Sequence, residues 1–245
     1  MAPQRRLDLY LVEKGLALSR QKAQGLIMAG LVLVDGHPAL KAGQTVPAGA
    51  AVEVKGPEHP FVSRGGVKLA GALDHFKLDP AGFSCLDVGA STGGFTDCLL
   101  QRGAAAVTAV DVGYGQMAWS LRQDPRVFLH ERINARRLPA DMAPGPFDLI
   151  VVDVSFISLT LVLPPLFGRL DPGGRLLCLV KPQFEAGKEK VGAGGVVRDP
   201  EDRRAAVDKV REFLTKSGLA VIGDCPSPIT GPAGNQEFFI LARKD

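Results

Sequence analysis

The chain has 245 residues, 46% of them hydrophobic, enough to bury one full-sized core and leave room for a small accessory module. With 29 Lys and Arg against 26 Asp and Glu, the charge balance permits a nucleic-acid partner without demanding one. Cys85, Cys98, Cys178 and Cys225 show neither metal-ligand spacing nor a disulfide framework, the start Met1-Ala2-Pro3-Gln4-Arg5-Arg6 lacks a signal-peptide core, and no stretch stays apolar for a membrane span; a soluble, cytoplasmic protein without a metal is expected.

In chain order, Leu7, Leu9, Leu11 and Val12 lead to Gly15, and Ser19 precedes Ala23, Leu26, Ile27 and Gly30. These spacings predict two short helices, the second capped by Ser19. Asp35-Gly36 after Leu31-Val32-Leu33-Val34 is a hairpin signal, and Ala51-Val52-Glu53-Val54 alternates like a strand. Residues 1–60 are therefore expected to form a small α+β domain, ending in the linker Gly56-Pro57-Glu58-His59-Pro60.

From Gly65 the pattern changes. A helix over Val67 to Phe76 is followed by apolar runs at Ser84–Val88, Ala106–Val112, Val127–His130, Phe147–Val152, Arg175–Val180, Leu219–Cys225 and Glu237–Ala242. Helix-like segments separate most of them, the clearest being Glu201 to Lys216, which Asp199-Pro200 starts and Gly218 stops. This alternation predicts an α/β domain over 61–245: a doubly wound, mostly parallel, seven-stranded, Rossmann-like sheet with its last strand antiparallel beside the fifth.

The turn after the first of these strands reads Asp87-Val88-Gly89-Ala90-Ser91-Thr92-Gly93-Gly94-Phe95. Glycine there lets backbone approach a cofactor lying across the strand ends. The spacing Asp-x-Gly-x-x-x-Gly-Gly departs from the pyrophosphate-binding Gly-x-Gly-x-x-Gly. S-adenosylmethionine has no phosphate to cradle; its sulfonium and amino group favour carboxylates. Asp87 is expected at its amino-acid part, directly or through water, and Asp111, ending the second strand, at its ribose hydroxyls. The domain thus reads as an S-adenosylmethionine-dependent methyltransferase.

The acceptor atom is narrowed by what stands at the strand ends. Asp153-Val154-Ser155-Phe156 replaces the Asn or Asp-Pro-Pro-aromatic motif common among exocyclic-amine methylases. No strand end offers the cysteine nucleophile that carbon-five methylation of a pyrimidine requires. Lys68, Asp153, Lys181 and Glu237 remain. A ribose hydroxyl is a weak acid whose attack on a methyl sulfonium is helped by a lysine that orients the oxygen and takes the proton. A second lysine eases that lysine's deprotonation, and two carboxylates keep the ammonium groups paired. Taken singly, Lys68 reads equally as a solvated helix residue and Glu237 as a strand-end surface charge.

In this order the four residues resemble the Lys-Asp-Lys-Glu tetrad of FtsJ-type ribose methyltransferases. Ser63-Arg64-Gly65-Gly66-Val67-Lys68-Leu69, the Asp87–Phe95 turn, Asp153-Val154-Ser155-Phe156-Ile157-Ser158 and Leu179-Val180-Lys181-Pro182-Gln183-Phe184-Glu185 more narrowly resemble the TlyA family, historically called haemolysins. The resemblance implies methylation of cytidine ribose 2′-hydroxyls in ribosomal RNA or ribosomal subunits, with Lys181 as principal catalytic lysine and Lys68, Asp153 and Glu237 around it. It implies that Asp153 also borders the cofactor, within a site of Asp87, Gly89, Ala90, Ser91, Thr92, Gly93, Gly94, Phe95 and Asp111, with Asn134 on the adenine side. It further makes the first domain an alpha-L RNA-binding module, matched by Arg6-Leu7-Asp8, Ser19-Arg20-Gln21-Lys22-Ala23 and Val32-Leu33-Val34-Asp35-Gly36. Arg5, Arg6, Arg20, Lys22 and Lys41 are candidates for phosphate contacts there, as is Arg64 in the second domain, and Phe156 could stack on a flipped nucleotide. The linker lacks the Arg-x-Trp-Val motif of mycobacterial members, which leaves linker control of cofactor binding unsupported. Two other readings stay open: a membrane-active haemolysin and a non-catalytic RNA-binding protein. The sequence leaves the oligomeric state open.

Overall fold

The computed structural model describes residues 5–17, 19–28, 30–55, 59–139 and 141–245. Met1–Gln4 and the Gly56–Glu58 part of the expected linker lie outside them. The chain divides into two units, Met1–Pro60 and Phe61–Asp245.

In the first unit, β1 (Arg5–Arg6) leads into α1 (Leu7–Glu13) and α2 (Arg20–Met28). Leu7 and Leu11 on α1, and Ala23 and Ile27 on α2, stand four residues apart, so each helix buries one stripe. Val32, Ala39 and Val46 complete that core. Ser19 Oγ accepts the Lys22 N–H at 3.2 Å, the expected cap. Asp35 and Gly36, at φ 49° and 78°, make the two-residue turn between β2 (Val32–Val34) and β3 (His37–Pro38). The pairing of β1 with β4 (Thr45–Val46) has no sequence signature, because two-residue strands show no alternation; β5 (Val52–Val54) pairs with β2.

A buried carboxylate organises the basic face of this unit. Asp8 is fully buried and accepts from Arg6 Nε and Nη2, each at 3.1 Å, Arg20 Nε at 2.9 Å and Gln24 Nε2 at 3.0 Å. The bonds from Arg6 hold its carboxyl well below the usual carboxylate range, against the opposing effect of burial. Two exposed arginines from separate segments are thereby fixed to one group.

The second unit opens with α3 (Arg64–Phe76), followed by β6 (Ser84–Val88), α4 (Gly94–Gln101), β7 (Ala106–Val110), α5 (Trp119–Arg122) and β8 (Val127–His130). Then come β9 (Phe147–Val152), α6 (Leu159–Val162), α7 (Pro164–Phe167), β10 (Leu170–Val180), α8 (Pro182–Glu185), α9 (Pro200–Lys216), β11 (Leu219–Pro226) and β12 (Phe238–Lys244). One sheet of seven strands results, in the order β11-β12-β10-β9-β6-β7-β8. β12 is antiparallel to both neighbours, and β10-β9-β6-β7-β8 are parallel.

The apolar runs are continuous because both faces of the sheet are covered. Leu149 and Val151 of β9, Leu177 and Leu179 of β10, and Phe239 and Leu241 of β12 pack with α3 and α4. The residues between them, Ile150, Cys178 and Ile240, pack with α6, α7 and α9. Several bounds differ from expectation: α3 starts three residues earlier than Val67, and β12 runs from Phe238 to Lys244, leaving Glu237 just before it. β7 stops at Val110, leaving Asp111 and Val112 beyond the strand; β10 starts earlier, at Leu170, resuming its register with β9 at Arg175 after Pro172-Gly173-Gly174. That tripeptide reads as a turn, which hid the first part of the strand. Asp199 caps α9 by accepting the Glu201 N–H at 2.8 Å.

The strand order reverses between β6 and β9, so their carboxyl ends frame a crevice where α/β sheets bind ligands. The four free cysteines are buried away from it, and burial pushes the thiols of Cys85, Cys98 and Cys178 up to about 12, which leaves them unreactive. Among the described residues no helix is long and apolar enough to cross a membrane, and no cluster of metal-ligating side chains occurs.

Candidate active site

Two cavities, of about 330 and 480 Å³, share Gly89, Ser91 and Asp153 as a common wall at this crevice. The turn after β6 can lie so close to the end of β9 because Gly89 has φ 88° and no side chain: a Cβ there would collide with the Asp153 carbonyl oxygen. Ala90, Thr92, Gly94 and Phe95 line the smaller cavity. Gly93 lines neither; at φ 95° it turns the chain into α4, and a Cβ there would strike Leu121.

Asp111 lines the larger cavity with its carboxylate pinned by backbone donors, Oδ2 accepting from Ser91 N at 2.8 Å and Oδ1 from Gly113 N at 2.6 Å. Each oxygen keeps a further lone pair for a diol. Asn134 also borders this cavity and accepts the Arg136 N–H at 3.0 Å. Val110, Val112, Ile133, Val154, Ile157 and Val162 supply an apolar wall. A fixed carboxylate beside an apolar slot, with a glycine cradle leading to a second carboxylate at Asp153, fits a nucleoside carrying a cationic sulfonium. The residues present therefore suit S-adenosylmethionine.

Lys68, Asp153, Lys181 and Glu237 come together as two ion pairs. Val180, ending β10, faces Phe238, starting β12, so Lys181 and Glu237 lie just beyond the paired ends of two adjacent strands, Glu237 before the last strand instead of beginning it. Lys181 Nζ lies 2.5 Å from Asp153 Oδ1, while its aligned hydrogen bond runs to Ser155 Oγ at 2.8 Å. Lys68 reaches from α3, donating to Glu237 Oε2 at 2.6 Å. One member of each pair, Lys68 and Asp153, lines the smaller cavity; Lys181 and Glu237 stand behind them, buried. Burying two ammonium groups costs free energy unless each is matched, and each is. Ser155 carries no sequence signal of its own; it was legible only as part of the segment after β9.

Asp87 is placed differently from the expectation that it meets the cofactor. Alternation along β6 puts Cys85 and Asp87 on the α4 side of the sheet, and Asp87 is fully buried and lines neither cavity. Its Oδ2 accepts from Thr96 Oγ1 at 2.6 Å, and Oδ1 has no hydrogen-bond partner among the described residues. Burial pushes its carboxyl up to about 7, with the negative charges of Asp153 and Asp111 adding to the effect and Thr96 opposing it. Because the folded state holds this proton more tightly than the unfolded state, the stability it lends is full below about pH 4 and is lost as pH rises toward 7. Asp87→Asn is expected to gain in melting temperature over the unsubstituted chain at pH 8 and to show little difference at pH 4; thermal melts across that range check it.

The RNA-contact candidates divide between the units. Arg5, Arg6, Arg20, Lys22 and Lys41 are all exposed in the first. In the second, Arg64 borders the smaller cavity and donates to the Thr230 carbonyl at 3.1 Å. Phe156 borders the larger one, 90% exposed, at φ 64°, its ring centroid 5.2 Å from that of Phe184.

Residues 61–244 match the FtsJ-like methyltransferase family, and residues 5–52 match the S4 domain. The chain belongs to the FtsJ-like methyltransferase family. This methyltransferase is 51% identical over 244 residues to the Mycobacterium tuberculosis protein named 16S/23S rRNA (cytidine-2'-O)-methyltransferase TlyA, covering 99% of this chain and 91% of that one. It is 38% identical to Hemolysin A of Brachyspira hyodysenteriae, covering 95% and 97% of the two chains. A solved structure of a hemolysin-named protein from Streptococcus thermophilus superposes with a TM-score of 0.76 at 42% identity, covering all of this chain and 90% of that one.

Proposed function

We propose that this methyltransferase transfers a methyl group from S-adenosylmethionine to the ribose 2′-hydroxyl of a cytidine in ribosomal RNA, in the cytoplasm. The observation that carries the reading is the double ion pair, Lys181 with Asp153 and Lys68 with Glu237, set against the shared wall of the two cavities. The activity named for the mycobacterial relative supports the choice of cytidine and ribosomal RNA.

When bound, S-adenosylmethionine supplies an electrophilic methyl group. Asp111, the Gly89–Thr92 turn and the apolar wall hold the nucleoside part, with Asn134 toward the base. Lys181, held by Asp153 and Ser155, orients the 2′-oxygen and, having first released its own proton to solvent, takes the hydroxyl proton as the methyl group passes from sulfur to that oxygen and the neutral thioether departs. Glu237 fixes Lys68 beside it. Residues 1–60 form the RNA-binding domain and 61–245 the catalytic domain. Arg6 and Arg20, fixed by Asp8, contact phosphates together with Arg5, Lys22, Lys41 and Arg64, so RNA binding weakens as salt rises.

Phe156 stacks on the extruded base. Stacking on an aromatic ring contributes about 1–3 kcal/mol per base, so Phe156→Ala is expected to lower kcat/KM for RNA by about 5- to 150-fold. The ring is exposed, so the melting temperature stays close to that of the unsubstituted chain; because Phe156 also borders the larger cavity, calorimetry of cofactor binding beside the kinetics separates lost stacking from lost cofactor affinity. Transfer of labelled methyl to ribosomal subunits, with DNA and protein as controls, tests the whole reading: incorporation into RNA alone supports it, and incorporation elsewhere or nowhere contradicts it.

A further inference from the structure

Glu185 is a buried carboxylate that the tetrad does not use. It ends α8, four residues after Lys181, and its side chain is 1% exposed. Both oxygens reach across to the segment between β9 and α6: Oε1 accepts from Leu159 N and Oε2 from Ser158 Oγ, each at 2.6 Å. Lys209 of α9 compensates the charge, its Nζ 3.3 Å from Oε2 and donating to the Glu185 carbonyl at 2.8 Å.

The segment held in this way carries Asp153, Ser155 and Phe156. It is joined to the chain after β10 at three points. Lys181 meets Asp153 and Ser155 at its root, Phe184 meets the Phe156 ring midway, and Glu185 meets Ser158 and Leu159 at its far end. Between root and far end, Phe156 sits in the left-handed region at φ 64°, a conformation that persists only where the surroundings over-determine it.

We infer that Glu185 is a positioning residue for methyl transfer, its carboxylate fixing the 153–158 segment against the Lys181 end of β10 so that Asp153, Ser155 and Phe156 address the acceptor nucleotide together. This rests on the function proposed above. A cap serving only the single turn of α6 would affect folding and nothing else. A positioning residue acts on the chemical step, because misplacement by about 1 Å can cost on the order of 10²-fold in rate.

The test compares Glu185→Ala, Glu185→Gln and Ser158→Ala, with Lys181→Ala as reference, in steady-state methyl transfer to ribosomal subunits, cofactor calorimetry and thermal melts. Glutamine keeps the shape: its amide oxygen can accept from Leu159 and its NH2 can donate to Ser158. Ser158→Ala removes one bond and leaves the Leu159 bond in place, so the chain keeps its fold. The expected result is a fall in kcat on the order of 10²-fold for Glu185→Ala. A smaller fall is expected for Ser158→Ala and near-full rescue in Glu185→Gln, with the loss in kcat exceeding any loss of cofactor affinity, since the 153–158 segment also borders the larger cavity. Unchanged kcat in Glu185→Ala and Ser158→Ala, or losses that merely track the unfolded fraction, would overturn the inference. If Lys181→Ala abolishes transfer while those variants keep it, only the role of Glu185 falls; if Lys181→Ala itself stays active, the proposed function falls.

Discussion

Lys181→Ala is expected to lower the rate of methyl transfer by about 10²- to 10⁴-fold, the range contributed by a positioned acid–base group. Lys181 is hydrogen-bonded, through Ser155, to the segment that also carries Phe156, and it pairs with Asp153, a carboxylate that lines both cavities. Its removal takes away the group that receives the 2′-hydroxyl proton. Because Lys181 lines neither cavity, cofactor affinity should stay close to that of the unsubstituted enzyme. Lys181→Arg should not restore the rate, since a guanidinium does not give up its proton near neutral pH. Single-turnover kinetics beside calorimetry separates the two effects, and a variant that transfers methyl at the original rate sinks the assignment.

Gly89→Ala is expected to act on the opposite side of the reaction, by disabling the cofactor site. At φ 88° an alanine costs about 1–2 kcal/mol in backbone conformation alone. The added methyl group also runs into the Asp153 carbonyl, so the ends of β6 and β9 must separate. Both cavities share this wall, and cofactor binding should weaken by at least about tenfold, the equivalent of 1.4 kcal/mol. Gly93→Ala gives the contrast: it strikes the Leu121 side chain, away from the cavities, and should lower stability more than cofactor affinity. Equal cofactor affinity in Gly89→Ala and the unsubstituted enzyme would remove the shared wall from the account.

The sheet was legible because apolar runs separated by helical segments dictate parallel strands covered on both faces, and the placing of Asp111, Asp153 and Lys181 just beyond the carboxyl ends of β7, β9 and β10 follows from that. What was hidden depended on direction and partners. Asp87 stands at a strand end like the other acids, but the period-two alternation of β6 turns it toward Thr96 and away from the cavity. Gly93 and Gly89 are alike in sequence, and only the neighbours of each absent Cβ separate a packing glycine from a cavity glycine. Ser155, Asp8 and Glu185 act through hydrogen bonds to residues as many as 27 positions away, which no local pattern encodes. The early part of β10 was concealed by Pro172-Gly173-Gly174, which does turn, Gly173 at φ 77°, and breaks the register with β9 between Leu170 and Arg175.

The central claim is that the tetrad directs the methyl group to a ribose oxygen. Ribosomal RNA incubated with the enzyme and a donor bearing a deuterated methyl group, digested to nucleosides and read by mass spectrometry, tests it most directly. The account predicts the deuterated label in 2′-O-methylcytidine, and its loss with Lys181→Ala; label on a nucleobase, or undiminished label with Lys181→Ala, would contradict it.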